Sequence, residues 1–327
     1  MAAAFLINFL FWSGVAIGGI AFAALVDATG GQWLGPMRLT AERFTRFLPF
    51  SFALFVLLMW RSGEVYPWGR THVDGAWFQP AFVAFRDAVA LATVYVCAFA
   101  YCRTSRQSSD DVRRARGGGM AATFLVVYVI GFSLLAVDLV MSLEPRWSST
   151  LFPVYVCTGN VYSGTATVAA LSTWTSRGAF EGAATTRARS MANTLVGMAL
   201  FWTYLFWSQF LVIWYGNLTS EVGYMMARIN VSRASGWIVL ATCCAAPSIV
   251  FVPRWGKHLA ALRVVTPLIL VGLWIERWLL VAPDLPRPTW IAVIAVTLAF
   301  AAGFFLCVHT TAIRSDVGRR PTVRRAF

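Results

Sequence analysis

The hydrophobic and polar positions of this chain fall into long apolar segments separated by short polar ones. A helix that crosses the roughly 30 Å hydrocarbon core of a bilayer needs about 20 mostly apolar residues. The segments between such windows are too short for a soluble domain. The pattern therefore predicts one all-α polytopic membrane domain over residues 1–327. Its nine predicted transmembrane helices are 5–26, 45–61, 79–102, 119–142, 151–174, 190–216, 234–253, 258–281 and 288–312.

The composition agrees with this interpretation and excludes a soluble protein. Hydrophobic residues make up 58% of the chain and charged residues 13%, whereas soluble domains carry about 25% charged residues. The mean hydropathy is +0.66. A net charge of +13 would suggest nucleic-acid binding in a soluble protein, but in a membrane protein basic residues concentrate in cytoplasmic loops. We therefore expect contact with lipids and none with nucleic acid.

The distribution of basic residues predicts an orientation. Of the 27 Lys and Arg residues, 19 fall on the side that holds the C-terminal tail and 8 on the other. The positive-inside rule places the richer side in the cytoplasm and the N-terminus outside. Residues 103–119 are then a mobile cytoplasmic connector and residues 313–327 a basic cytoplasmic tail. Because residues 1–20 lack the basic start of a signal peptide, the first span is predicted to be retained.

Ionisable residues inside or beside the predicted spans are the main functional candidates, because burying them in lipid is costly unless they face the bundle interior. Three carboxylates near one membrane face are candidates for a proton path: Asp138, Glu144 and Glu276. A carboxyl group in a low-dielectric site binds its proton more tightly and can exchange it near neutral pH. Paired with an arginine, it would instead stay ionised. Both interpretations remain open for Asp138 and Glu276.

Four charged neighbours of these carboxylates fit structural ion pairs better than a quinone pocket. They are Arg86, Asp87, Arg146 and Arg277. Carboxylate and guanidinium groups thus recur at a similar predicted depth on three helices.

Predicted span six is the most aromatic segment of the chain. Its Trp202 and Gln209 could hold the flat ring of a quinone, although packing is the more common role of such residues. In span one, Gly14 and Gly18 form a small-xxx-small motif, which allows a neighbouring helix to approach closely.

The cysteines and histidines predict no metal, haem or catalytic centre in this chain. The six cysteines form no Cys-x-x-Cys pair, and the three histidines lack the spacing of haem ligands. A secondary transporter is disfavoured because no matching pair of Gly- or Pro-broken helices is evident.

Several segments resemble the F subunit of bacterial alternative complex III. Residues 131–164 contain VDLVMSLEPRWSSTLF, similar to the family pattern Phe-Asp-Trp-x-Met-Ser-Leu-Asp-Pro-x-Trp-x-Ser-Thr-Ile-Phe. FWTYLFWSQFLVIWYGN at 201–217 and WIERWLLVAP at 274–283 look like the aromatic helix and the late acidic helix end of that family. Residues 8–22, NFLFWSGVAIGGIAF, and the segment around Arg86 are also similar to segments of that family.

The resemblance implies a polysulphide-reductase-like membrane subunit, built from two four-helix bundles with extra helices. It implies a place in the inner membrane of a bacterium, within a quinol:electron-acceptor (cytochrome c) oxidoreductase. Quinone or menaquinone is the implied ligand. Haem c and iron–sulfur clusters would belong to partner subunits, beside a sister C subunit that houses the main quinol site. The F subunit would supply a proton path, with Asp138, Glu144 and Glu276 at acidic positions of the family and Arg86 at its helix-entry arginine.

Two departures from the family alter these expectations. The family has ten spans, and this chain begins at what looks like its second, so either the first helix is absent or the true start lies upstream. Residues 66–70, Tyr-Pro-Trp-Gly-Arg, replace a histidine-rich loop. A purely structural scaffold is the second hypothesis, and a secondary transporter the third.

Overall fold

The computed structural model describes residues 1–69, 76–106, 111–175, 184–249, 259–286 and 288–309. These residues form helices joined by short turns, with no β-strand among them. The helices are α1 (Ala2–Ala28), α2 (Met37–Arg43), α3 (Phe47–Trp60), α4 (Ser62–Val65), α5 (Pro80–Arg106), α6 (Asp111–Leu139), α7 (Phe152–Thr175), α8 (Ala184–Gly216), α9 (Thr219–Val231), α10 (Arg233–Leu240), α11 (Ala246–Ser248), α12 (Leu259–Val281) and α13 (Trp290–His309).

Seven segments of the described chain are long and apolar enough to cross a membrane, which confirms an all-α polytopic membrane protein. They are α1, the continuous Met37–Trp60 segment, α5, α6, α8, α12 and α13. Helix α7 matches the predicted span at 151–174 but is not among them. Its buried surface carries Asn160, Ser163 and Thr167, and these polar residues reduce its hydropathy. By this criterion the described residues contain seven spans, or eight with the bent pair below, against the nine that the sequence predicts.

The described part of the predicted span at 234–253 is a helical piece that ends at Ser248 and is one half of a bent pair. An eighth crossing exists only if two shorter helical pieces, Glu221–Asn230 and Arg233–Ser248, form one span with a 91° bend. The bend lies at Ser232, whose backbone is extended and whose hydroxyl accepts a hydrogen bond from the Ser235 amide at 3.2 Å. This cap begins α10 in a new direction. Beyond α10 the helix widens to a π-turn at Ala241–Ala245.

The predicted connector at 103–119 is also wrong. Helix α5 continues to Arg106 and α6 begins at Asp111, so the only residues between them, 107–110, lie outside the described part of the chain. Arginine has a high helix propensity, and the polar composition of this segment is compatible with helix ends in water. The predicted tail at 313–327 lies outside the described residues.

Helix α1 lies at the centre of the fold and is buried along most of its length. Its close neighbour is α7, and both glycines of the predicted motif face that helix. A Cβ atom at Gly18 would overlap the backbone carbonyl of Asn160, and one at Gly164 would overlap the backbone of Gly19. The two backbones are therefore in direct contact, as expected where small residues line a helix interface in a membrane.

We predict that Gly18→Ala destabilises the protein by about 1–3 kcal/mol, because the added methyl group must push α7 away from α1. The thermal unfolding midpoint of the full chain in lipid nanodiscs measures this effect. Gly197→Ala on α8 is the matched control, since a Cβ atom there has nothing within 4 Å. Equal midpoints for the two variants would contradict the prediction.

Candidate functional site

Two carboxylates and one guanidinium meet where α5 begins and α6 ends. Arg86 Nη2 donates to Asp138 Oδ2 at 2.5 Å, and Arg86 Nε lies 3.7 Å from Asp87 Oδ1. Both aspartate side chains are fully buried. Within the described residues, three of their four oxygens accept no hydrogen bond: Asp87 Oδ1, Asp87 Oδ2 and Asp138 Oδ1. One cation thus serves two buried acids, which we call the aspartate pair.

The guanidinium of Arg86 is held in place from its other side. Its central carbon lies 3.9 Å from the centroid of the Trp77 ring, and Nη1 donates to the Trp77 carbonyl at 3.2 Å. A cation above an indole face is stabilised by the ring quadrupole. Arg86 is therefore anchored without a third acidic group.

Two aromatic residues cover the aspartate pair from the loop after α4. Tyr66 and Trp68 stack with centroids 4.7 Å apart. The Tyr66 hydroxyl donates to the Leu139 carbonyl at 3.3 Å, and Trp68 Nε1 donates to Ser142 Oγ at 3.0 Å. Burial, and then the negative charges of Asp87 and Asp138, raise the pKa of Tyr66 well above its usual value, so its phenol stays neutral.

A second site is a half-open cavity of about 520 Å³ lined by α7, α8, α9, α10 and α12, which we call the aromatic chamber. Apolar and aromatic side chains form most of its wall. The polar groups that reach it include Glu276, Gln209, Thr203 and Arg228. Such a cavity, apolar with a few polar groups, is typical of a site for a small organic ligand.

The side chains of Glu276 and Arg277 lie beside each other but contact different parts of the protein: Glu276 lines the chamber, and Arg277 contacts α7. Both residues are 3% exposed, and Arg277 Nε lies 3.5 Å from Glu276 Oε2. Arg277 Nη2 donates to Asn160 Oδ1 at 3.1 Å and to the Val156 carbonyl at 3.5 Å. Glu276 is on the chamber wall, and neither of its oxygens has a hydrogen-bond partner among the described residues.

The two predicted aromatic-helix candidates lie on or beside the chamber. Trp202 is fully buried and stacks on Phe206 with centroids 5.5 Å apart, while its Nε1 lacks a hydrogen-bond partner in the described chain. Gln209 reaches both the chamber and a neighbouring cavity of about 440 Å³. Thr203 Oγ1 is another buried atom on the chamber wall without such a partner.

A column of stacked side chains attaches the broken helix to its neighbours. Trp147 and Tyr224 stack with centroids 3.7 Å apart, and the Arg228 guanidinium lies 3.3 Å above the Tyr224 ring. Arg228 Nη2 then donates to Asp284 Oδ2 at 2.6 Å and to the Leu280 carbonyl at 3.1 Å. The loop after α6, helix α9 and the end of α12 are thus connected beside the chamber.

The structure therefore brings together most of the predicted site residues, but not all of them. Arg86, Asp87 and Asp138 form one cluster, and Glu276 shares the chamber with Gln209. Glu144 is half-buried in the loop after α6 and accepts a hydrogen bond from the Arg146 amide at 3.3 Å. Arg146 is exposed. Neither of the last two lines the aromatic chamber.

Sequence reasoning missed four contributors to these sites. Arg228 and Asp284 lie outside the predicted spans, so an isolated charge there carries no signal. Asn8 and Asn160 are buried amides within apolar helices, and their polarity in such segments could have identified them. Asn8 Oδ1 accepts a hydrogen bond from Trp274 Nε1 at 3.3 Å.

The fold and the two sites define a multi-pass α-helical membrane protein with buried acids and a cavity lined mostly by apolar side chains. No protein-family model and no curated protein sequence matches the chain. Across the described residues, no three His, Cys, Asp or Glu side chains form a potential metal site. The expectation that this chain binds no metal or haem stays a prediction.

We predict that Arg228→Leu destabilises the protein by up to about 3 kcal/mol, because it leaves the buried Asp284 carboxylate without its cation. Burial already raises the pKa of Asp284 and Arg228 opposes that rise, so the variant's carboxyl should bind its proton more tightly still. The loss of stability should therefore shrink as the pH falls and the carboxyl becomes protonated.

Thermal unfolding of the full chain across a pH series tests this prediction. The double variant Arg228→Leu/Asp284→Leu should recover most of the stability that Arg228→Leu alone loses, since neither charge of the pair is then left without its partner. Arg146→Leu, at an exposed position, is the control. A loss that does not depend on pH would count against the ion pair as its cause.

Proposed function

We propose that this chain is a membrane subunit of a quinol:electron-acceptor (cytochrome c) oxidoreductase complex, which supports quinone interaction and a proton path without a redox cofactor of its own. The observation that carries the proposal is the position of Glu276. Its carboxylate is buried on the wall of an aromatic chamber, with Arg277 at 3.5 Å but with no hydrogen-bond partner among the described residues. Such a group is costly unless it has a task. The sequence resemblance to the F subunit of alternative complex III supports the same conclusion.

A quinol fits the chemistry of the aromatic chamber. The volume of about 520 Å³ lies in the range of small-molecule sites, and aromatic walls suit a flat ring. A quinol hydroxyl would donate a hydrogen bond to a Glu276 oxygen, and the carboxylate could accept its proton as the ring is oxidised. Thr203 and Gln209 offer further hydrogen bonds to the ring oxygens.

A line of buried polar groups along α5 supports a proton path through the protein. The aspartate pair lies at its start. Two turns further on, Tyr95 forms a hydrogen-bonded chain with Ser51 and Ser13, with oxygen distances of 2.8 and 2.7 Å. Near the other end, the Tyr101 hydroxyl donates to Asp27 Oδ2 at 2.7 Å. From the aspartate pair to Tyr101 the helix rises about 21 Å.

The electrons from quinol would move through other chains of the complex. Haem c and iron–sulfur clusters would lie in partner subunits, and a sister C subunit would oxidise most of the quinol. A purely structural scaffold remains the main alternative, and the abundant ion pairs and stacked aromatic residues are compatible with it.

A secondary transporter is supported by one observation only. The 91° break between α9 and α10 lines the chamber, as broken helices line transporter sites. A transporter of this type has a second broken helix in the corresponding half, and the described residues contain just one such bent pair.

We predict that the native complex, purified from membranes through this chain, contains c-type haem and iron–sulfur subunits. Glu276→Gln should assemble normally but slow the proton-coupled turnover of the complex several-fold, because glutamine cannot accept a proton and the path through this chain is then interrupted. Glu64→Gln, at an exposed position, is the matched control and should leave turnover unchanged. Recovery of this chain alone, or normal turnover of Glu276→Gln, would contradict the proposal.

We also propose that the protein lies in the inner membrane of a bacterium with its N-terminus outside and its C-terminus in the cytoplasm. Single cysteines at positions 110 and 322, in a background without reactive thiols, should react with an impermeant reagent only after the cells are opened. An epitope tag before Met1 is the control and should be detected on intact spheroplasts. Labelling of both cysteines from outside would reverse the orientation.

A further inference from the structure

The aspartate pair has an unbalanced charge. Asp87 and Asp138 are both fully buried, and across the described residues the sole cation within ion-pair distance of either is Arg86. Tyr66, which covers the pair, is neutral. On the α12 side, Arg277 is committed to Glu276 and Asn160. Two ionised carboxylates here would therefore leave one buried negative charge that no cation of the described residues compensates.

Three acceptor atoms of the pair are also unexplained. Asp87 Oδ1, Asp87 Oδ2 and Asp138 Oδ1 receive no hydrogen bond from the described protein, whereas Asp138 Oδ2 accepts from Arg86 at 2.5 Å. Both carboxyl groups lie against the same guanidinium, since Arg86 Nε is 3.7 Å from Asp87 Oδ1 and Nη2 is 2.5 Å from Asp138 Oδ2. Two carboxylates cannot hydrogen-bond to each other, because both are acceptors only.

One proton accounts for both observations. If Asp87 is protonated, its hydroxyl becomes a donor and Asp138 Oδ1 becomes its acceptor, while Asp138 Oδ2 keeps the hydrogen bond from Arg86. The cluster then holds one carboxylate, one guanidinium and one neutral carboxylic acid. Adjacent buried carboxyl groups commonly hold one proton between them for this reason.

We propose that Asp87 and Asp138 share a single proton at neutral pH and that this aspartate pair is the proton-storing site of the chain. The inference deepens the proposed function and rests on its proton path, but it assigns the stored proton to Asp87, for which sequence reasoning favoured a structural role. Asp138 becomes the anionic partner that Arg86 holds ionised. Release of the proton requires a change in the position of Arg86 or the arrival of a second cation, since both acids cannot ionise beside one guanidinium.

Infrared spectroscopy of the full chain in lipid nanodiscs tests the shared proton. Isotope labelling of the aspartate carboxyl carbons shifts their C=O band and separates it from that of Glu276. At neutral pH the labelled protein should show one protonated aspartate. Asp87→Asn should abolish that band, and the fold should survive because asparagine has the shape and neutrality of the acid that it replaces.

Asp138→Asn provides the decisive comparison. Removing Asp138 leaves Asp87 as the only carboxyl group beside Arg86, so Asp87 should ionise and the band should again be lost. If Asp87 were protonated through burial alone, the band would persist in Asp138→Asn, and the shared proton would be overturned.

Asp27→Asn is the matched control, because Asp27 already pairs with its own arginine, Arg38, and accepts from Tyr101. It should leave the band unchanged. Absence of any protonated aspartate from the wild-type chain would also overturn the inference. These spectra need no partner subunits, so they remain informative if the chain proves not to belong to an oxidoreductase complex.

Discussion

The structure depends on the direct contact between the backbones of α1 and α7. In lipid, apolar surface gains little by leaving its solvent, so helices associate through close packing and polar contacts. Gly18 and Gly164 remove the side chains that would hold the two helices apart. Once they touch, α7 presents Asn160 to Arg277 of α12, and Arg277 in turn lies beside Glu276. The position of the candidate acid on the chamber wall therefore follows from two glycines on other helices.

The buried charges differ in how completely they are compensated, and this difference separates structure from candidate function. Asp284 pairs with Arg228, and Asp27 pairs with Arg38. Both pairs tie helix ends or loops together. The aspartate pair has one cation for two acids. Glu276 has its own cation, Arg277, at 3.5 Å, but neither of its oxygens accepts a hydrogen bond among the described residues. An undercompensated acid in a low-dielectric interior responds strongly to a proton or a ligand.

The predicted helix boundaries differ from the structure where contact with water or with other helices determines whether a segment is helical. The polar stretch at 103–119 was predicted to be a loop because it lacks apolar residues, yet α5 and α6 extend into it. The described part of the predicted span at 234–253 belongs to a bent helix pair, whose turn at Ser232 depends on a side-chain cap. The polar α7 shows the opposite effect, since a helix surrounded by protein can carry residues that a lipid-facing helix cannot.

The sequence by itself determined the membrane class, the position of most spans and which charged residues fall at the ends of apolar segments, because hydropathy and charge are properties of single residues. It also placed Asp87, Asp138 and Glu276 at comparable helix ends. Only the tertiary structure decided which acid meets which arginine, because pairing depends on distances between helices. The ratio of one guanidinium to two carboxylates, and the unpartnered oxygens of Glu276, are properties of the packed bundle that no linear pattern contains.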